Sequence, residues 1–225
     1  MRNTEIVSPS SAPVLLFDLD GTLTDSAPGI IECFRSALND LGLPEPTAQQ
    51  LEIVVGPPML DTMKTLLPDE NSAREGVQAY MRHYEAGGWA NNAVFDGIPT
   101  VLDTATKRGY RLAVATSKNE RLAIRILEHF DLAHYFEFIG GASDDGTRRA
   151  KADVIAHSLG ALGITPGSGT PEITMIGDRD HDMRGAATWG LRAFFASWGY
   201  GAPAESAGAD EVLESVAQLQ EIISA

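Results

Sequence analysis

The apolar run Val14-Leu15-Leu16-Phe17 passes directly into Asp18-Leu19-Asp20-Gly21-Thr22-Leu23-Thr24-Asp25-Ser26. A strand-type run that ends in acids, a glycine and small hydroxyl residues constrains the fold more than any other stretch. Residues two apart on an extended strand point to the same side, so Asp18 and Asp20 face one site at the strand's C-terminal end. That end is where open α/β sheets bind ligands. Gly21 then lets the backbone turn sharply. Two close carboxylates repel, and a lone pair of them partly protonates. A divalent cation removes the repulsion and also neutralises a phosphate. One Asp can then stay ionised as a nucleophile while the other carries a proton as general acid/base. Asp-Gly is also a common turn signal, so a solvated strand end is the competing structural reading.

Beyond Ser26 the pattern is helical. Ile30, Ile31, Phe34, Leu38 and Leu41 recur at spacings of three and four, as in an amphipathic helix, and Gly42 and Pro44 end it. More helical patterns cover 48–54, 59–67 and 72–87, and no strand is expected between Ser26 and Phe95. Gly56-Pro57-Pro58 is a rigid turn between two of these helices. The expectation is an all-helical cap, residues 27–92, inserted after the first strand.

An α/β alternation then resumes. Helices are expected at 98–108, 120–130, 150–162 and 180–189, and strands at 110–116, 136–140, 172–176 and 191–195. The stretch 211–223 holds a last short strand or helix. Such alternation implies a parallel sheet covered on both faces. The α/β core is expected from 13–26 and 93–225, with 1–12 as a frayed tail rich in Ser and Pro.

The 225 residues suffice for one large domain or one domain carrying an insertion. A formal net charge of -14 argues against nucleic acid and anionic membranes as partners. An anionic substrate then needs local cations or a metal. Cys33 is the single cysteine, which excludes an intrachain disulfide and any multi-cysteine metal site; it reads as a small core residue. No segment is apolar for the ~18 residues a membrane span needs, and residues 1–13 lack the apolar centre of a signal peptide. A soluble cytoplasmic monomer or homodimer is expected.

Three strand ends carry polar residues: Asp18/Asp20, Thr116/Ser117 and Asp178. A parallel sheet places all three on one edge. Thr116 and Ser117 offer hydroxyl and backbone donors to a phosphoryl oxygen; helix capping by Ser117 or Asn119 is the alternative. Lys151 opens a helix, where a cation opposes the helix dipole, so a functional role is inferred for it. In Gly177-Asp178-Arg179-Asp180-His181-Asp182 the acids alternate as in a calcium loop, but Met183 and Trp189 stand where an EF-hand needs Gly and Glu. Asp178 on a metal, with Asp182 in the first helical turn, fits better. Few oxygen donors plus waters and phosphate is the Mg²⁺ style. His181 reads as a surface group or a neighbour of the site rather than a metal ligand.

These motifs resemble the haloacid dehalogenase superfamily, and within it the phosphoglycolate-phosphatase-like branch. The match runs through 18–26, Thr-Ser-Lys at 116–118, Lys151 and 177–182, in the family's order, with further likeness at Phe95-Asp96-Gly97-Ile98 and Trp198-Gly199-Tyr200-Gly201. The resemblance implies a Rossmann-like core with a helical cap. It implies Asp18 as nucleophile and Asp20 as general acid/base, whose main-chain carbonyl binds the metal. It implies Thr116 and Ser117 around the phosphoryl group, Lys151 as the neutralising cation, Asp178 as Mg²⁺ ligand and Asp182 as a supporting acid. Asp20 argues against a true dehalogenase, because family members doing that chemistry lack the second acid. The implied activity is Mg²⁺-dependent hydrolysis of a small phosphorylated metabolite, phosphoglycolate or a relative. A sugar phosphomutase and a non-catalytic regulatory protein on the same fold are the alternatives. Arg82 is the expected substrate contact from the cap, with Lys64 and His83 as further candidates.

Overall fold

The computed structural model describes residues 12–52, 54–165 and 171–225. In chain order its elements are β1 (Val14–Phe17), β2 (Thr24–Asp25), α1 (Ala27–Asp40), α2 (Ala48–Glu52), α3 (Met59–Leu66) and α4 (Glu70–Ala86). There follow β3 (Ala93–Val94), α5 (Ile98–Lys107), β4 (Arg111–Asn119), α6 (Glu120–His129), β5 (Phe138–Ala142) and α7 (Lys151–Ala161). The chain closes with β6 (Ile173–Gly177), α8 (Asp180–Thr188), β7 (Arg192–Ala196), β8 (Glu211–Leu213) and α9 (Val216–Ser224). The expected tail falls, apart from Ala12, outside the described residues. Among the described residues no helix is long and apolar enough to cross a membrane.

The main sheet is six-stranded, in the order β5-β4-β1-β6-β7-β8, and its pairings are parallel. Residues 14–17 pair with 111–114 on one flank and 173–176 on the other. The strand order therefore runs outward from β1 in both directions, and the crevice beyond its C-terminal end is a topological switch point. Leu15 and Phe17 enter one core cluster with Ile98, Leu102 and Ile126. Val14 and Leu16 enter a second with Ile155, Leu159 and Met183. That split is the period-two geometry of a strand, and burial on both faces is why β1 is apolar throughout. Each such side chain contributes about 1.5–3 kcal/mol by leaving water.

Helices α1, α3 and α4 share a third cluster built on Phe34, Leu38, Met63, Tyr80 and Tyr84. The expectation of no strand between Ser26 and Phe95 needs one correction. β3 pairs antiparallel with β2, placing Thr24 opposite Val94 and Asp25 opposite Ala93. Two-residue strands carry no readable alternation; this pair exists because the two ends of the helical block lie side by side. It forms its own sheet, apart from the main one. Residues 211–223 yield both a strand and a helix, β8 and α9, and the strand expected at 136–140 is shifted to β5.

Cys33 is buried in the third cluster, and burial first, then the Glu32 charge, pushes its thiol up to about 11. A thiol that is neutral and enclosed is a poor nucleophile. Alkylation at neutral pH should therefore be slow in the native protein and fast in denaturant. Mass spectrometry of the labelling time course checks this; rapid native labelling would contradict the packing.

Candidate active site

Asp18 follows β1, Thr116 lies near the end of β4, Lys151 opens α7 and Asp178 follows β6. Parallel strands deliver all of them to one sheet edge. Lys151 is the hub. Its Nζ lies 3.0 Å from Asp18 Oδ1 and 2.6 Å from Asp182 Oδ1, and donates to the Ala115 carbonyl at 2.9 Å. Burial alone would lower the Lys151 pKa, but the charges of Asp18 and Asp182 outweigh it and hold the ammonium above the usual lysine range. Gly185 on α8 makes room for this side chain, since a Cβ there would stand 2.7 Å from Lys151 Cγ. Asp182 Oδ2 also accepts from the Arg179 backbone N–H at 3.1 Å, which ties it into the first turn of α8. Thr116 is buried, and its Oγ1 accepts from Lys118 N–H at 3.2 Å. Asn119 caps α6 by accepting from Leu122 N–H, so Ser117 is not the capping residue.

Asp178 lies against the turn that follows Asp20. Its Oδ1 accepts from Thr22 Oγ1 at 3.4 Å and its Oδ2 from Tyr200 N–H at 2.7 Å. Gly21 has φ +84°, and a Cβ on it would run into the Asp178 carboxylate. Both the dihedral and the close approach require glycine here. Gly21→Ala should cost about 1–3 kcal/mol of stability and displace Asp178. Denaturant unfolding reads the first effect and calorimetric Mg²⁺ titration the second; unchanged values in both would refute this packing.

Asp18, Asp178 and Asp182 are buried together with Lys151. Three carboxylates against one ammonium leave negative charge uncompensated. Burial first, then the charges of Asp18 and Asp182, push the Asp178 carboxyl well above the usual carboxylate range. Carboxylate oxygens in excess of positive charge fit a divalent cation. Ligand atoms of Asp18, His181 and Asp182 also fall within 4.8 Å of one another. His181 is partly buried, with Nε2 3.9 Å from Asp182 Oδ1.

Asp20 has a different partner. Its Oδ2 is 2.6 Å from Lys118 Nζ, and that ammonium sits 4.9 Å from the centre of the Tyr84 ring. Burial opposes the Lys118 charge, and Asp20 restores it, holding the pKa above the usual lysine range. Two clefts meet at Ser117. One, of about 180 Å³, touches Asp20, Lys118 and Tyr84. The other, of about 570 Å³, is lined by Lys151, Arg149, Arg179, His181 and Arg184, with Asp61 and Asp180 among them. Arg179 reaches across to the Val55 carbonyl and pairs with Glu205 at 2.9 Å. Arg149 pairs with Asp61 at 3.3 Å.

Arg82 is not brought to this site. Its side chain is 64% exposed and lies 3.5 Å from Asp40, and it lines neither cleft. Lys64 pairs with Glu70 and His83 with Asp40. Helical periodicity says which residues share a face but not which face meets the core. Lys118 and Tyr200 have no role assigned from sequence, although Lys118 meets Asp20 and Tyr200 meets Asp178. Both sit inside the motifs singled out there.

The family model for haloacid dehalogenase-like hydrolases matches residues 15–196. The chain is 49% identical over 195 residues to tyrosine-protein kinase PtkA of Mycobacterium tuberculosis, covering 86% of this chain and 65% of that protein. It is 41% identical over 194 residues to a 5'-nucleotidase of Pseudomonas aeruginosa, covering 86% of each. Among solved structures, a predicted phosphatase from Clostridium acetobutylicum superposes with a TM-score of 0.87 at 37% identity, covering 95% of this chain and 99% of that one.

Proposed function

Because the chain belongs to the haloacid dehalogenase-like hydrolase family, we propose that it is a Mg²⁺-dependent phosphatase. In this reading it hydrolyses phosphate monoesters of small metabolites through an aspartyl phosphate on Asp18. One observation carries the reading: Lys151 bridges Asp18 and Asp182 at the edge where Asp178 also emerges. The 41% identity to a 5'-nucleotidase over 86% of both chains supports it.

An Asp18 oxygen attacks phosphorus as the bond to the leaving oxygen breaks. Asp20 gives that oxygen its proton, then takes one from the water that attacks the aspartyl phosphate. Thr116 and Ser117 hold the phosphoryl oxygens. Lys151 neutralises charge on the transferring group, the main demand in phosphoryl transfer, and Asp182 holds Lys151 in place. Asp18, Asp178 and the Asp20 carbonyl would hold Mg²⁺, which would supply further charge neutralisation. Residues 27–92 form a cap domain that closes over the site and excludes bulk water. Their own hydrophobic cluster, joined by Leu122 of α6, and the β2–β3 pair at their base support that division. Closure predicts different cap–core orientations with and without a phosphate analogue; one orientation across several ligand states and crystal forms would refute it.

The test is Mg²⁺-dependent phosphate release from p-nitrophenyl phosphate and a panel of phosphorylated metabolites, with mass spectrometry of the Asp18 peptide during turnover. No release from any ester would overturn the reading. The 49% identity to PtkA favours a second one, phosphoryl transfer to a protein tyrosine. The matched region spans 65% of that relative, so the comparison covers part of it. Transfer from ATP to tyrosine faster than to water would select this alternative.

A further inference from the structure

We propose that the cavity beside Asp20 takes the leaving group of a monoester whose alcohol carries an uncharged planar ring. Preferred substrates are then aryl-methyl or nucleoside monoesters rather than esters of small hydroxy acids. This inference rests on the hydrolase reading above. There Asp20 protonates the leaving oxygen, so the leaving group must occupy the cavity that Asp20 lines.

The walls of that cavity are Ile30, Val54, Met59, Tyr80, Met81 and Tyr84. Tyr80 and Tyr84 stack with ring centres 5.3 Å apart and planes 17° apart. Apolar walls of this composition suit an uncharged ring, and methionines adapt to its outline. The volume is about 180 Å³; an apolar cavity of about 150 Å³ holds benzene. A hydroxy-acid ester such as phosphoglycolate would bring a carboxylate instead. Among the described residues, Lys118 is the one basic side chain lining the cavity, and it is already paired with Asp20 at 2.6 Å. A substrate carboxylate would compete with Asp20 for that single cation and lie against apolar walls without a cation of its own, an expensive burial. Two buried polar atoms of residues that line the cavity, the Tyr84 hydroxyl and Asp20 Oδ1, have no hydrogen-bond partner among the described residues. The hydroxyl can donate to an acceptor on the ring, and Asp20 serves the ester oxygen.

The experiment compares kcat/KM with Mg²⁺ for benzyl phosphate, uridine 5'-monophosphate, 2-phosphoglycolate and glycerol 1-phosphate. Benzyl alcohol is an ordinary primary alcohol as a leaving group, so a preference for its ester reports on binding. Both ring-bearing esters should exceed phosphoglycolate by at least about tenfold, and their order separates a simple arene from a nucleoside. Tyr80→Ala should erase most of that ratio and Tyr80→Phe should keep it. Phosphoglycolate equal to or better than both would overturn the proposal. A binding arm separates this outcome from failure of the hydrolase reading. If no ester turns over, calorimetry compares 2-phenylethylphosphonate with 3-phosphonopropionate on the Mg²⁺-supplemented protein. Tighter binding of the phenyl compound by about tenfold or more keeps the ring preference while hydrolysis falls; equal or no binding overturns the preference too.

Discussion

Asp18→Asn is expected to lower turnover by at least about 10⁴-fold, the scale seen when a nucleophile is removed from a concerted catalytic set. An amide cannot form the aspartyl phosphate. The fold should survive, because the neighbourhood tolerates the change. Asp18 Oδ1 accepts from Leu19 N–H at 2.8 Å, and an Asn carbonyl oxygen can accept the same bond. Lys151 loses one counter-charge but keeps Asp182 at 2.6 Å. The repulsion that helps to push Asp178 upward is relieved in part. Stability close to that of the parent is therefore expected in denaturant unfolding, alongside the loss of activity. Ordinary turnover by a purified variant, with deamidation excluded by mass, would remove Asp18 from the nucleophile's role.

Exhaustive chelation is expected to abolish turnover, with Mg²⁺ restoring it and Ca²⁺ failing to. A divalent cation supplies several kcal/mol of charge stabilisation, or about 10³-fold in rate and more. Ca²⁺ takes about 6–8 oxygens at roughly 2.3–2.6 Å, against the tight octahedron of Mg²⁺ at about 2.0–2.1 Å. The looser shell should misplace nucleophile and phosphate. Stability offers a readout free of catalysis. Binding to a native site at about 100 times its Kd adds about 2.7 kcal/mol. Asp178→Asn should remove most of that gain, and Arg82→Gln, on an exposed helix face outside the site, should leave it. Full activity in chelator, or an unfolding midpoint indifferent to Mg²⁺, would contradict the metal assignment.

The legible part of this protein lay where local chemistry and the fold agree. β1 could be read because a strand buried on both faces must be apolar at every position, and its abrupt end in Asp18 and Asp20 marks the sheet edge. Lys151 stood out because a cation in the first turn of a helix opposes the dipole. The tertiary structure explains it with two buried carboxylates within 3.0 Å. β3 could not be read, since two residues have no period. The position of Arg82 outside the cavity is not legible in sequence, because an amphipathic pattern fixes a helix's inner face and leaves the orientation of the whole block open.

Sequence alone determined the order of the longer strands and helices from β1 to β7, the helical block after β1, and a set of acids and hydroxyls at strand ends with Lys151 at a helix start. These follow from short-range periodicity, from the rule that parallel strands share one edge and, for Lys151, from the helix dipole. Only the tertiary structure decided the partners: Lys118 on Asp20, Tyr200 against Asp178, Arg179 reaching Val55, and an aromatic-walled cavity beside Asp20 with Arg82 outside it. These pairings join residues distant in the chain. The first two are made within the α/β core, while the Arg179–Val55 contact and the cavity depend on how the helical block is seated on it, a choice made by packing and charge across the whole molecule.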